Sequence, residues 1–430
     1  MNNPLKIAIA GLGTVGAGAL SILSKHANLL ASRSGRALQV TAVSARDKSK
    51  DRGISIDDVE WFDDAGQMAR EAAADVVVEL IGGSDGIAKD VCEAAIAGKK
   101  HVVTANKALI ALHGTELAVQ AEAAGVALAY EAAVAGGIPI IKSLREGLAG
   151  NTFKRVYGIL NGTCNYILTE MRENGGAFEA VLKDAQELGY AEADPSFDVD
   201  GVDTAHKLAI LASLAFGCEV NFDAVHIEGI RHVSPMDIEF ADELGYRIKL
   251  LGIAAETETG IEQRVHPCMV PINAPIAAVE GVFNAVVADT DFADTIMHEG
   301  RGAGSGPTAS AVVADIIDIA AGRRSPTFGI SANELKKLVV SPMENHIGAF
   351  YIRLMVVDKP GVFADVAAVL RDNSVSMESV LQRGRAPGEP VSVVMTLHET
   401  QEAGMVRAIE AIGSLDGVVE IPRMIRIESF

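Results

Sequence analysis

An α/β protein in three parts is predicted by three observations. The first 134 residues alternate short apolar runs with amphipathic stretches, residues 135–306 turn to helices followed by strands, and residues 350–430 repeat the order strand, helix, strand, strand, helix, strand. The first pattern reads as a parallel sheet, because strands buried on both faces appear as unbroken apolar runs. The second reads as an α+β unit, and the third is the ferredoxin-like split βαβ arrangement. Across 430 residues, 49% are apolar and 22% charged, which excludes disordered, collagen-like and coiled-coil classes. A net charge of −20, with no dense run of Lys and Arg, gives no expectation of a nucleic-acid partner.

The first part is read as strands at 5–10, 39–43, 75–80, 101–104 and 126–130 with helices between. In the second, helices at 137–148, 178–188, 202–216 and 237–244 precede strands at 246–254, 262–270, 282–288 and 291–298. A Gly-rich turn at 300–307 opens a helix over 307–322 that would complete the first domain. Two Ser-Pro steps, Ser325-Pro326 and Ser341-Pro342, mark 323–349 as a linker. Every candidate catalytic residue precedes residue 310, so the terminal module is expected to be separable. The longest apolar run, Leu208 to Cys218, is about half the roughly 20 residues a membrane-spanning helix needs, so no membrane partner is expected. Cys92, Cys164, Cys218 and Cys268 form no CxxC pair, which points away from zinc and disulfide frameworks and toward a reducing cytoplasm.

Gly11-Leu12-Gly13-Thr14-Val15-Gly16 follows the first strand directly and opens a helix, the context a dinucleotide fingerprint requires in a Rossmann-type domain. Its glycines permit a tight turn, close approach of the backbone to a pyrophosphate and close helix-on-strand packing, leaving the helix N-terminus to hold the phosphates. The second strand ends in Val43-Ser44-Ala45-Arg46-Asp47-Lys48. Arg46 and Lys48 suit the 2′-phosphate of NADP, Asp47 suits the free ribose of NAD, and a solvated loop is the third reading.

Three segments sit at carboxyl ends of strands, where open α/β sheets collect ligands: Glu79 to Gly83, Thr104 to Lys107, and Glu131 to Gly137. Asn106 reads equally as a helix cap with Lys107 solvated. Glu131 reads as a structural turn or, with the carbonyls after it, as a hard-cation ligand. The richest stretch is Gly189 to Lys207, where Glu192, Asp194, Asp198 and Asp200 precede a helix on which Asp203 lies one turn before Lys207. The apolar residues after Lys207 imply burial, so Lys207 suits a general acid whose pKa is lowered by burial and partly restored by Asp203. An ordinary helix ion pair is the alternative.

The segments Gly11 to Gly16, Val103 to Lys107, Glu131 to Pro139, Leu160-Asn161-Gly162-Thr163-Cys164-Asn165-Tyr166, Gly189 to Lys207 and Gly302-Ala303-Gly304 resemble monofunctional homoserine dehydrogenases with a C-terminal ACT domain, in order along the whole chain. The resemblance implies NAD(P)-dependent interconversion of L-aspartate 4-semialdehyde and L-homoserine, on the route to threonine, methionine and isoleucine. It implies that Lys207 donates the proton, that Lys107 lies near substrate and nicotinamide, and that Glu192, Asp198 and Asp203 hold substrate, Asp203 also orienting Lys207. Thr104, Gly189 and Gly304 would join the fingerprint around the cofactor. Glu131 with Val134, Gly136 and Ile138 resembles a monovalent-cation site, for an ion such as sodium. Phe197 departs from the pattern, since some members carry another acid there. Asp358-Lys359-Pro360-Gly361-Val362 resembles the effector turn of ACT domains, implying threonine feedback, and the family implies a homodimer or homotetramer. The residues alone leave open another amino-acid aldehyde oxidoreductase, or a non-catalytic nucleotide and amino-acid sensor.

Overall fold

The computed structural model describes residues 3–53, 55–383 and 386–430. Its first layer is a six-stranded parallel sheet of β1 (Leu5–Ala10), β2 (Leu38–Ser44), β3 (Glu60–Phe62), β4 (Val76–Glu79), β5 (His101–Thr104) and β6 (Leu128–Ala129), in the order β3-β2-β1-β4-β5-β6. The order reverses between β1 and β4, which places the ligand crevice beyond their carboxyl ends. Ile7, Ile9, Val76 and Val78 join one apolar cluster, while Ala8, Ala10 and Val77 join the other. Period-two alternation between two buried faces is why residues 7–10 and 76–78 of these strands are apolar throughout. The helices α1 (Thr14–Lys25), α2 (Ala27–Ser34), α3 (Ala65–Glu71), α4 (Ile87–Ala97) and α5 (Lys107–Ala124) cover them. Strand β3 is too short for periodicity to reveal.

The second part contributes α6 (Ile140–Lys142), β7 (Phe153–Ile159), α7 (Gly162–Asn174), α8 (Phe178–Glu187), α9 (Ser196–Val199), α10 (Val202–Phe216), β8 (His226–Ile227), α11 (Pro235–Glu243), β9 (Tyr246–Thr257), β10 (Gly260–Pro271), β11 (Phe283–Thr290) and β12 (Thr295–Arg301). The helix expected over 137–148 is instead the short α6 followed by a wide turn at 143–147 with i to i+5 bonding. Strand β7 runs between β11 and β9, a central position that the sequence reading did not assign. Helix α10 is apolar almost all round because it lies between α5 and this sheet. Helix α12 (Ser305–Ala320) then returns to pack on α1. Gly18 makes that approach possible: a Cβ there would stand 2.7 Å from Ser305 Oγ.

The last part is β13 (Ile347–Val357), α13 (Val362–Asp372), β14 (Met377–Gln382), β15 (Pro390–Gln401), α14 (Glu402–Gly413) and β16 (Arg423–Ile427), with strand order β16-β13-β15-β14 and an apolar core of its own. It is not a separate body, which corrects the expectation of a separable module. Strand β16 pairs with β13 on one side and with β10 on the other, aligning Cys268 with Arg426 and Met269 with Ile427. One sheet therefore runs from β12 to β14. Residues 323–349, expected as a linker, lie as a strap across the first and second parts. Phe328, Ala332 and Leu335 are buried, the Tyr130 hydroxyl donates to Thr327 O at 2.9 Å, and Ile261 bridges Val340. Ser-Pro steps signal irregular backbone but not whether it is packed.

A chain ending at Ser341 would leave the β10 edge bare where β16 now covers it. Such a truncation is expected to lower the melting temperature sharply or to aggregate. An unchanged melting temperature in differential scanning calorimetry would show that β10 does not need its partner.

Candidate active site

Gly201, at φ 88°, turns the chain into α10, so Asp203 falls in the first turn and Lys207 in the second on the same side. Lys207 Nζ lies 2.8 Å from Asp203 Oδ2 and donates to Leu160 O at 2.7 Å. The other oxygen, Asp203 Oδ1, is 2.9 Å from Lys107 Nζ. Lys107 is the first residue of α5 in the nucleotide domain, and Asn106 caps that helix by accepting from Leu109 N. Asn106 thus does what the bland reading expected, while Lys107 is an ion-paired group rather than a solvated one. Asn161 Nδ2 donates to both Asp203 Oδ2 and Asp198 Oδ1, each at 2.8 Å. The sequence pointed to the Asn161-Gly162-Thr163 motif but gave Asn161 no role.

Both lysines lean on one buried carboxylate. Burial opposes ionisation of Asp203, but Lys207 and Lys107 outweigh it and hold the carboxyl below its usual range. Burial pushes Lys207 down, Asp203 partly restores it and Lys107 lowers it again. For Lys107 the burial cost is overcome by Asp203 and, more weakly, by Asp198 and Glu192, so its pKa rises. Asp198 is pushed up by burial and by Asp203. A cavity of about 430 Å³ opens beside this chain, lined by Gly82, Gly83, Asn106, Lys107, Phe197 and His206. Phe197 faces Lys107, whose Nζ is 5.5 Å from the ring centroid, a favourable cation–π arrangement. Glu192 is exposed, and its charge reaches Lys107.

On the nucleotide side, a Cβ at Gly11 would stand 2.5 Å from Leu80 O, and one at Gly16 2.1 Å from Gly11 O, so both positions require glycine. Nothing lies within 4 Å of a Cβ at Gly13, whose backbone is open to a ligand. Thr104 is fully buried, donating to Glu79 Oε2 at 2.6 Å and accepting from Asn106 N, so its side chain organises the sheet edge. Gly304, at φ 121°, precedes α12, and Thr14 O accepts from Ser305 Oγ. Gly189, at φ 75°, is exposed after α8.

The family model described as homoserine dehydrogenase matches residues 139–317, the NAD-binding domain of homoserine dehydrogenase matches 11–131, and the ACT domain matches 350–417. A homoserine dehydrogenase of Neisseria gonorrhoeae is 45% identical, with 99% of each chain covered. The chain belongs to the homoserine dehydrogenase family. The crystal structure of a homoserine dehydrogenase from Thiobacillus denitrificans superposes with a TM-score of 0.94 at 43% identity, covering 99% of this chain and 98% of that one. A hyperthermophilic archaeal homoserine dehydrogenase solved in complex with NADPH has a TM-score of 0.63 at 28% identity, covering 74% of this chain and 97% of that one. Like its family, the chain is an NAD(P)-dependent oxidoreductase.

Arg46 and Lys48 are exposed beyond β2, Lys48 lying 5.8 Å from the Trp61 ring centroid, and Asp47 accepts from Ser49. The sequence reading passed over Arg52, whose Nε donates to Leu12 O at 3.2 Å and whose other nitrogens donate to Lys50 O and Asp47 O. Arg52 thereby ties the fingerprint loop to the loop after β2, and the run of cations from Lys48 to Arg52 was the available signal. Glu131 is buried, and its two oxygens accept from Ile141 N and Lys142 N at 2.9 Å each. Burial and the Asp315 charge push its pKa up to about 7. Among the described residues, His266, Cys268 and Glu428 form the one cluster with metal-like spacing. Glu428 is already held at both oxygens by Arg264, and Arg264 and Arg426 oppose a cation there.

Proposed function

We propose that this chain interconverts L-aspartate 4-semialdehyde and L-homoserine with Lys207 as general acid and base, upstream of threonine, methionine and isoleucine. The observation that carries the reading is the chain Lys107–Asp203–Lys207 beside the cavity at the mouth of the nucleotide sheet. The nicotinamide cofactor supplies or accepts the hydride at the carbonyl carbon. In reduction Lys207 gives a proton from Nζ to the aldehyde oxygen as the C=O electron pair moves onto it; in oxidation the neutral amine takes that proton back. Asp203 orients Nζ and keeps a buried ammonium accessible, while Lys107 stays charged beside the substrate. Asp198 and Glu192 offer carboxylates to the substrate ammonium.

For the cofactor, Gly11 to Gly16 would hold the pyrophosphate, with Gly304, Thr104 and Gly189 around it. Arg52 with Arg46 and Lys48 would meet a 2′-phosphate, which supports NADP. The carbonyls of Val134, Gly136 and Ile138 would hold a monovalent cation such as sodium. The Glu131 carboxylate, spent on two N–H groups, gives such an ion a structural rather than a chemical part. The ACT match and the turn Asp358 to Val362, where Asp358 Oδ2 accepts from Ala386 N at 2.9 Å, support threonine as effector.

Lys207→Met is expected to lower turnover by about 10²–10⁴-fold with nucleotide affinity intact; activity within threefold of wild type would exclude the role. Because reduction needs the ammonium and oxidation the amine, the two rates should run in opposite directions with pH. Reduction falls and homoserine oxidation rises through one inflection below the usual lysine value of about 10.4. Stopped-flow profiles in both directions check this, and two unrelated inflections would refute it. Arg52→Ala should weaken NADP more than NAD in titration calorimetry, whereas equal losses would give Arg52 a role in loop structure alone. Threonine should inhibit, and Asp358→Ala should relieve inhibition without changing KM at zero threonine. Such coupling is typically about 1–3 kcal/mol, and equal inhibition of both proteins would put the effector elsewhere.

A further inference from the structure

Arg426 is 2% exposed on β16, and it is one of the points at which the C-terminal module grips the second part. Its NH1 and NH2 donate to Glu228 Oε2 and Oε1 at 2.9 and 2.8 Å, while Nε donates to Glu402 Oε2 at 3.0 Å. A two-pronged guanidinium–carboxylate pair fixes orientation as well as distance. His226 Nε2 also lies 2.7 Å from Glu228 Oε1, and Glu228 N donates to Val265 O at 2.7 Å, so Glu228 is held at side chain and backbone.

The residues after Glu228 touch the turn that carries the substrate carboxylate. Gly229 packs so closely that a Cβ would stand 2.3 Å from Val199 O and 2.5 Å from Asp200 Cα. Ile230 N donates to Val199 O at 2.9 Å. Arg231 pairs with Asp200 and donates to Ser196 Oγ at 3.1 Å. Asp198, inside that turn, is bonded to the Asn161 that also holds Asp203. An unbroken run of contacts thus leads from β16 to the lysines: Arg426, Glu228, Gly229–Arg231, Val199–Asp200, Asp198, Asn161, Asp203.

We propose that Arg426 is a positioning residue for the reaction, setting through Glu228 the place of the turn at 196–200 and hence of Asp198 against the substrate ammonium. The proposal rests on the reading of Asp198 and Lys207 given above. Nothing in this run touches the fingerprint loop, so its loss is felt at the substrate and not at the nucleotide.

The test uses the full chain. Glu228 is half-exposed, so Glu228→Ala removes the link without leaving a cavity in the core, while Arg426→Met removes it from the other side. The expected result for Glu228→Ala is a KM for homoserine raised threefold or more with the nucleotide Kd unchanged, partly rescued in Glu228→Gln, which keeps an acceptor. If Arg426→Met folds, its effect should not add to that of Glu228→Ala, because both cut one link; if it does not, the Glu228 pair decides. A KM rise below threefold, or an equal rise in nucleotide Kd, overturns the proposal. Full turnover in Lys207→Met would instead bring down the reading of the site, whatever Glu228 does.

Discussion

One buried carboxylate shared by two ammonium groups is the constraint around which the rest is arranged. Asp203 comes from the second part of the chain and Lys107 from the nucleotide domain, so their 2.9 Å contact is a clasp between two bodies as well as an element of the site. Two buried charges are tolerable only if each is paired and hydrogen-bonded, and the surroundings supply those bonds: Leu160 O for Lys207 and Asn161 Nδ2 for Asp203. The arrangement leaves the two lysines unlike in character. The more buried one is easier to deprotonate, and the one nearer the cavity stays charged. Lysines alike in sequence are thereby shifted in opposite directions, which is what the proposed proton carrier and fixed positive charge require.

Much of this was legible in the sequence where a local rule applies. The parallel strands, the fingerprint and the i, i+4 relation of Asp203 to Lys207 each follow from periodicity or from glycine geometry, and the structure shows all three. Lys107 was visible only as a residue at a strand end. Its pairing depends on how two domains meet, which no local pattern encodes. Arg52 was missed because its bonds go to the Leu12 carbonyl, and backbone acceptors leave no mark in composition. Strand β7 and helix α7 were passed over because the central strand carries Lys154 and Arg155 among its apolar residues. The strap at 323–349 was misread because Pro-marked segments look alike whether packed or free.

The terminal module shows how far a correct reading of elements can stand from the architecture. Its six elements came in the expected order, yet the strand that completes the module also completes the catalytic layer. A parallel pairing of two residues against β10 is small in itself. It gains weight from the charged side chains around it, where Arg264 holds Glu428 and Arg426 holds Glu228 across the seam, while Glu402 of its own module braces Arg426. The ACT module and the catalytic layer of this chain share one sheet.

The same seam bears on how the molecule is made. Strand β10 spans residues 260–271, and its neighbour β16 is not synthesised until residues 423–427. Domains that emerge early usually fold while the rest of the chain is still on the ribosome. Here the nucleotide sheet, β1 to β6, can close at that stage, but the second sheet must wait with one edge open. Its final pairing is a long-range event of high loop-closure cost. Nascent or prematurely terminated chains therefore present an unpaired strand edge beside buried charge, which makes the interval before release the period in which this protein most needs a chaperone.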